Sequence, residues 1–210
     1  MYLPPHFDAS ADTEALMALV RRDPFITLVT WAESAPLANH LPVLLDRAPD
    51  GGLRIRGHWA RANPQWQGIQ SQTVLAIVHG PHAYVSPRWY PDPLRAVPTW
   101  NYAAAHLSGR VSLVTEADAL LSLVGELAQR FEPAEAPWQL VDAMETGRRM
   151  AGAIVGFELR VERIELKQKL SQNHDASRVI GAMAGLRAEA GTAGAEVAAL
   201  MEQVLARQRA

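Results

Sequence analysis

Phe25 to Trp31 reads FITLVTW, Leu37 to Asp46 reads LANHLPVLLD and Leu53 to His58 reads LRIRGH; these three runs decide the fold class. The first is crowded with β-branched and aromatic residues, the composition of a strand. In the second, Asn39, Leu41, Val43 and Leu45 share one face while Ala38, His40 and Leu44 share the other, a period of two. Pro42 lacks a donor for the ladder and predicts an edge or a bulge. Ala35-Pro36 is read as a turn before this run. Pro49-Asp50-Gly51-Gly52 is a strong turn after it, so the second and third runs form a hairpin.

Outward from this hairpin, Asp12 caps a helix over Thr13 to Arg22, with Leu16, Leu19 and Val20 on one face, and Pro24 stops it. Ala60 to Ile69 is a short helix or loop interrupted by Pro64. Thr73 to Val78, TVLAIV, is apolar throughout, as a central buried strand requires, and Ala83-Tyr84-Val85 extends it beyond Gly80-Pro81. Proline dominates from Pro87 to Pro98. Thr99 to Val114 has a long strand pattern with a break expected at Gly109. Ala117 to Phe131 and Pro137 to Met150 read as helices. In Ile154 to Leu166, Val155, Phe157, Leu159 and Val161 alternate with Glu158, Arg160 and Glu162. Asp175 caps a helix to about Ala190, and Ala195 to Arg207 is a last amphipathic helix.

Strands therefore come first, then helices, then one more strand, without the regular alternation of a doubly wound sheet. The expected class is mainly β with peripheral helices (α+β), an antiparallel barrel. A single domain over residues 1–210 is expected, the barrel covering about 1–173 and a helical extension about 174–210. At 210 residues, a chain can bury roughly 70% of its unfolded surface and needs no disulfide or metal staple.

Composition excludes several chemistries. Cysteine is absent, which removes thiol nucleophiles, Cys-based zinc sites and iron–sulfur clusters together. The net charge of −2 argues against an electrostatic nucleic-acid binder. The last two helical segments could be mistaken for a helix-turn-helix, but their charges are mixed and their alanines suit packing. No dinucleotide or Walker glycine pattern, G-x-S-x-G elbow or H-E-x-x-H occurs. His40, His58, His79, His82 and His106 lie in or beside strands at spacings that specify no metal site, so none is expected. The segment from Met1 to His6 lacks the basic and apolar regions of a signal peptide. No apolar run reaches the ~18–20 residues of a membrane span. The reading is a soluble, cytoplasmic protein.

Three segments carry candidate chemistry. His58-Trp59-Ala60-Arg61-Ala62-Asn63-Pro64 puts a His, an Arg and an Asn just past a strand. An arginine fork and two further donors suit a phosphate, and a solvated turn has the same composition. Val97-Pro98-Thr99-Trp100-Asn101-Tyr102 sets an aromatic beside an amide, as a flat heteroaromatic ligand needs; a tryptophan at a barrel corner reads the same way. Lys169-Leu170-Ser171-Gln172-Asn173-His174 ends the final strand, with five polar side chains in six positions. It serves either a site or a helix-capping turn.

Together with further motifs, these segments resemble the PaiB-type family of FMN-binding proteins, described at family level as negative transcriptional regulators. The other motifs are Met1-Tyr2-Leu3-Pro4-Pro5-His6-Phe7, Ala38-Asn39-His40-Leu41-Pro42, Arg56-Gly57-His58, and Gly80-Pro81-His82-Ala83-Tyr84-Val85-Ser86-Pro87 with Trp89-Tyr90. The resemblance implies a split β-barrel similar to pyridoxamine phosphate oxidases and flavin reductases, and a homodimer with FMN at the subunit interface. It implies that His58, Arg61 and Asn63 hold the FMN phosphate. Trp100, Asn101, Lys169, Ser171 and Gln172 would line the isoalloxazine or substrate side. Two departures are Gln168, where relatives often place an aromatic, and a longer segment from Pro91 to Ala96.

Function stays open between three outcomes: a flavoprotein regulator, a flavin-dependent oxidoreductase, and a haem-binding or haem-degrading split barrel. Haem would take a histidine ligand, for which His40, His82 and His174 are the nominees. Direct DNA binding by an isolated subunit is not expected, because Arg21-Arg22 and Arg148-Arg149 are the only adjacent basic pairs and each has an acidic neighbour.

Overall fold

The computed structural model describes residues 1–32, 35–133, 135 and 144–209. Helix α1 spans Thr13–Arg22, and Asp12 caps it by accepting a 2.9 Å hydrogen bond from the Ala15 amide. Strands β1 (Phe25–Ala32), β2 (Ala35–Arg47), β3 (Leu53–Ala60), β4 (Val74–Val85), β5 (Thr99–Val114) and β6 (Ile154–Lys169) close in the order β1-β2-β3-β6-β5-β4. Helices α2 (Ala117–Phe131) and α3 (Met144–Ala151) precede β6; α4 (Ala176–Glu189) and α5 (Gly191–Arg209) follow it. The chain groups into two compact units, one of Met1–Leu19, His79–His106 and Glu165–Ala210, the other of Val20–Val78 and Leu107–Ile164. They are called the first and second unit below; β4 and β6 run from the second into the first, and β5 from the first into the second.

In the second unit, β2 pairs antiparallel with β1 from Ala35 to Pro42 and with β3 from Val43 to Arg47. Pro42 thus lies where the strand hands over from one neighbour to the other, the place where a missing N–H costs the ladder least. Pairing continues to Ala32↔Ala35, so Ala35 and Pro36 belong to the strand and not to the expected turn. Two-residue alternation buries Ile26, Leu28, Val43, Ile55, Trp59, Phe157 and Leu159. The rings of Trp59 and Phe157 lie 4.5 Å apart. Each such fully buried side chain contributes about 1.5–3 kcal/mol. Buried Gln65 accepts from Trp59 Nε1 (2.9 Å) and donates to the carbonyls of Leu28 (2.9 Å) and Leu37 (3.0 Å), so none of these buried polar groups is orphaned.

The outer face of β3 carries Arg54 and Arg56. Asp46 bridges both; Arg54 also reaches Glu158 (2.8 Å), and Arg56 reaches Glu126 of α2 (2.7 Å). The guanidinium of Arg56 holds the Glu126 carboxyl below its ordinary range. α2 buries Leu120, Leu121, Leu123 and Leu127.

The expected break at Gly109 does not occur: β5 is continuous. A side chain there would overlap the Arg160 carbonyl of β6, so glycine serves close strand approach and not interruption. The helix expected from Pro137 is described as α3 from Met144; residues 136–143 lie outside the described residues.

In the first unit, α4 and α5 bury Val179, Ala182, Met183, Leu186, Val197, Ala198 and Met201 against Ala83, Val85, Tyr90 and Leu170. Asp175 caps α4, accepting from the Arg178 amide at 3.0 Å. α5 begins at Gly191, earlier than the expected Ala195. Gly185 on α4 leaves room for the Trp89 ring, whose Nε1 donates to Glu189 at 3.1 Å. β6 runs three residues beyond the expected Leu166. From Glu165 to Gln168 every residue is buried, so the alternation that marks the strand's earlier half is lost.

Candidate functional site

The strand-exit residues of the second unit are His58, Arg61 and Asn63. Alternation along β3 turns Trp59 into the core and His58 the other way. His58 is half-buried and lines an apolar cavity of about 290 Å³ with Leu120, Leu121 and Val124 of α2 and Met150 of α3. Its Nδ1 is buried and meets no partner. Burial lowers its pKa, because the charged imidazolium loses hydration there. Arg61 donates through Nε to the Gly152 carbonyl (2.6 Å) and through Nη2 to the Ile154 carbonyl (2.9 Å). Asn63 caps the 3₁₀ turn Pro64–Trp66 by accepting from the Gln65 amide (2.9 Å), and its Nδ2 donates to Asn39 (3.0 Å). Among the described residues the three make no hydrogen bond to one another. Arg61 is exposed and has N–H groups beyond the two it uses, a donor set that fits a phosphate.

In the first unit, three of the other five expected residues gather. Asn101 of β5, with Lys169 and Ser171 at the end of β6, lines a cavity of about 340 Å³ shared with Phe7, Tyr90, His174 and Arg178. Asn101 is 1% exposed and Ser171 3%. Asn101 Nδ2 donates to Ser171 Oγ (2.9 Å), and Ser171 Oγ also lies 3.2 Å from Asn101 Oδ1 as donor. Nδ2 meets Met201 Sδ at 3.3 Å. Ser171 has φ +64°, the one non-glycine residue in the left-handed region among the described residues. A side chain costs ~1–2 kcal/mol in that conformation, and such strain collects at functional sites.

Lys169 Nζ donates to the Trp100 carbonyl (2.7 Å) and to Thr99 Oγ1. Burial, then the nearby Lys167, lowers its pKa. No carboxylate among the described residues lines this cavity. Arg178 is clamped by Asp92 (2.6 Å) and lies 5.6 Å over the Tyr90 ring. The Tyr90 hydroxyl is buried and has no partner. Burial is also the main cause lowering the pKa of His174.

Trp100 and Gln172 lie elsewhere. Trp100 is exposed, its ring 6.2 Å from those of His82 and Tyr84, and it lines a separate cleft with Arg88 and Trp89. Gln172 closes the strand end by accepting from the Leu170 amide (2.7 Å) and donating to the Gln168 carbonyl (2.6 Å). Tyr90 and Arg178 are the residues that sequence reasoning missed as cavity groups, whereas His174 lies in the polar run it singled out. Tyr90 was hidden in the proline-rich stretch, and Arg178 in the first turn of a helix.

Residues 1–163 match the family described as "Putative FMN-binding domain". Over 99% of this chain and 100% of the relative, the sequence is 34% identical to the Protease synthase and sporulation protein PAI 2 of Bacillus subtilis. The chain belongs to the PaiB-type FMN-binding family. FMN is the cofactor this membership assigns to it. Two solved structures share the fold. The flavocytochrome Anf3 of Azotobacter vinelandii is similar with a TM-score of 0.56 at 13% identity, covering 75% of this chain and 67% of that one. The FAD and heme binding protein of Mycobacterium smegmatis has a TM-score of 0.55 at 18% identity, covering 80% and 77%. The PaiB-type chain is thus a six-stranded antiparallel split barrel with helices: the strand runs predicted an antiparallel barrel, and the family resemblance implied a split one.

Within this PaiB-type chain several arginines are held in ion pairs. Besides the Asp46 cluster, Arg88 pairs with Glu189, Arg160 with Asp50, Arg187 with Glu202 and Arg207 with Asp12. No helix among the described residues is long and apolar enough to cross a membrane.

Proposed function

We propose that this protein is a cytoplasmic, homodimeric FMN protein whose part in negative regulation of transcription runs through its flavin and a bound small molecule, not through its own contacts with DNA. The observation that carries this reading is the first unit's cavity. It combines an uncompensated ammonium, an orphaned buried hydroxyl and a strained serine, which is the equipment of a ligand site. Sequence-specific DNA binding draws instead on clustered free Lys and Arg, and the ion pairs above engage part of that set while the net charge is −2.

In this reading Arg61, with Asn63 and His58, anchors the FMN phosphate in the second unit. Lys169, Asn101 and Ser171 serve the ring or substrate side in the first unit, and Trp100 and Gln172, which line other surfaces, stand apart from them. FMN supplies one- and two-electron redox chemistry when bound. The Asn101–Ser171 pair holds the cavity wall in one conformation, and Lys169 presents a positive charge to any electron-rich edge.

A flavin-dependent oxidoreductase is the second reading, favoured by the same cavity, because a pure FMN store needs no further substrate-sized space. Purified protein should be yellow with a flavin absorption band and should give a dimer mass by light scattering at micromolar concentration. A colourless protein unable to take up added FMN, or nanomolar sequence-specific DNA binding at physiological salt, would sink the proposal. Turnover of a nicotinamide cofactor separates the oxidoreductase from the regulator.

A further inference from the structure

The first unit's cavity has a charge pattern more specific than a general flavin pocket. Lysine occurs at two positions in the whole chain, Lys167 and Lys169, against eighteen arginines. Both fall at the end of β6. Lys169 satisfies two of its three N–H groups on neutral oxygens, Thr99 Oγ1 and the Trp100 carbonyl, and points no donor at a carboxylate. Arg95 also lines the cavity. The charge of Arg178 is balanced by Asp92, which lies outside the lining. The cavity therefore holds a partly desolvated positive charge with no internal counter-ion among the described residues. Opposite charge supplied by a ligand is the ordinary compensation for such a group.

Two further observations point to the ligand. Tyr90, 5% exposed, lines the same cavity, and its buried hydroxyl has no hydrogen-bond partner among the described residues. An orphaned buried hydroxyl is rare unless a missing group completes it. The rings of Phe7 and Tyr90 give the cavity apolar faces. Its volume, about 340 Å³, lies at the lower end of the ~300–1,000 Å³ of small-molecule sites.

We infer that this cavity is the receptor for a small organic anion, an oxyanion on a flat apolar body, with Lys169 and the Tyr90 hydroxyl as its donors and with the FMN phosphate bound elsewhere. The inference rests on reading the cavity as the substrate side of the flavin. Carboxylate and phosphate monoester share this chemistry, and FMN's own phosphate is the competing source.

The test titrates benzoate and phenyl phosphate separately into the full chain, with and without FMN, by calorimetry. FMN and riboflavin affinities are measured independently by flavin fluorescence. The expected result is saturable binding of at least one anion to the FMN-loaded protein, weakened tenfold or more by Lys169→Met. The tighter of the two probes tells carboxylate from phosphate. Tyr90→Phe, which removes a single oxygen, should weaken the anion at least threefold and serves if Lys169→Met does not fold. No anion binding to the loaded protein overturns the inference. So does an anion that displaces FMN but not riboflavin, since the cavity would then hold the cofactor's phosphate. An unchanged anion affinity in both variants overturns it as well. Anion binding in a protein that takes up no FMN would instead sink the flavin reading and leave the anion site standing.

Discussion

Ser171→Ala removes the hydroxyl that Asn101 both donates to and accepts from, at 2.9 and 3.2 Å, and leaves the backbone at φ +64°. The Asn101 amide is then left with Met201 Sδ alone in a site 1% exposed. Stranding a buried polar group costs about 1–3 kcal/mol. The strain of the left-handed conformation is common to serine and alanine, so it cancels from this difference. Ser171→Gly loses the same hydrogen bonds but gains ~1–2 kcal/mol of relief, reduced by ~0.4–1 kcal/mol for the greater freedom of glycine in the unfolded chain. Glycine should therefore be more stable than alanine by up to about 1.5 kcal/mol, and alanine less stable than serine. For a chain of this size each kcal/mol moves Tm by roughly 2–4 °C. Urea melts with a common m value, supported by calorimetry, resolve such differences. If alanine exceeds glycine, the backbone at residue 171 is not held left-handed and the rigid-wall argument falls. If alanine matches serine, the Asn101 pair contributes nothing.

Three other outcomes follow from the geometry. Arg61→Ala should weaken FMN by about 1.5–3 kcal/mol, the range for a bond to a charged group, and leave riboflavin unaffected; equal losses would mean the change acts through the freed Gly152 and Ile154 carbonyls instead. Gly109→Ala forces a methyl against the Arg160 carbonyl and should cost about 1–3 kcal/mol, read as a lower urea midpoint; a midpoint at the wild-type value would show the strands part freely. Burial lowers the pKa of His58, His106 and His174 below 6.5, so the unfolded chain binds more protons than the folded one as pH falls. Stability should be flat above about pH 7 and decline below 6.5; urea melts showing no loss between pH 7.5 and 5.5 would contradict the buried assignments.

How far these features were legible depended on whether a residue's role is local. The caps at Asp12 and Asp175 and the two-residue periods of β1, β2 and β3 are local, and each is present where the residues place it. Gly109 and Ala35-Pro36 were misread because glycine and proline were taken as punctuation. Their actual roles, close passage beside Arg160 and continued pairing with β1, are set by strands distant in sequence. The polar run at Lys169 to Gln172 announced a site without saying which side chains converge. Ser171 turns left-handed and meets Asn101 70 residues away, whereas Gln172 folds back on its own strand end. The Tyr90 hydroxyl and Arg178 carry no sequence signal of this kind, since an unpartnered buried oxygen exists only once the packing around it does.

The scarcity of lysine has a practical consequence. Acylating reagents used near neutral pH meet, beside the amine of Met1, two lysines in this sequence, Lys167 and Lys169. The Met1 amine is held in an ion pair with Glu165 at 2.7 Å. Lys167 is 7% exposed, with its Nζ on the Tyr2 carbonyl. Lys169 is the more open of the two lysines, and its lowered pKa raises the fraction of unprotonated, nucleophilic amine above that of an ordinary lysine. Limiting reagent should therefore mark one residue, on the wall of the cavity. A fluorophore or a crosslinker can be placed there on the unmodified chain without introducing a cysteine, which the sequence lacks.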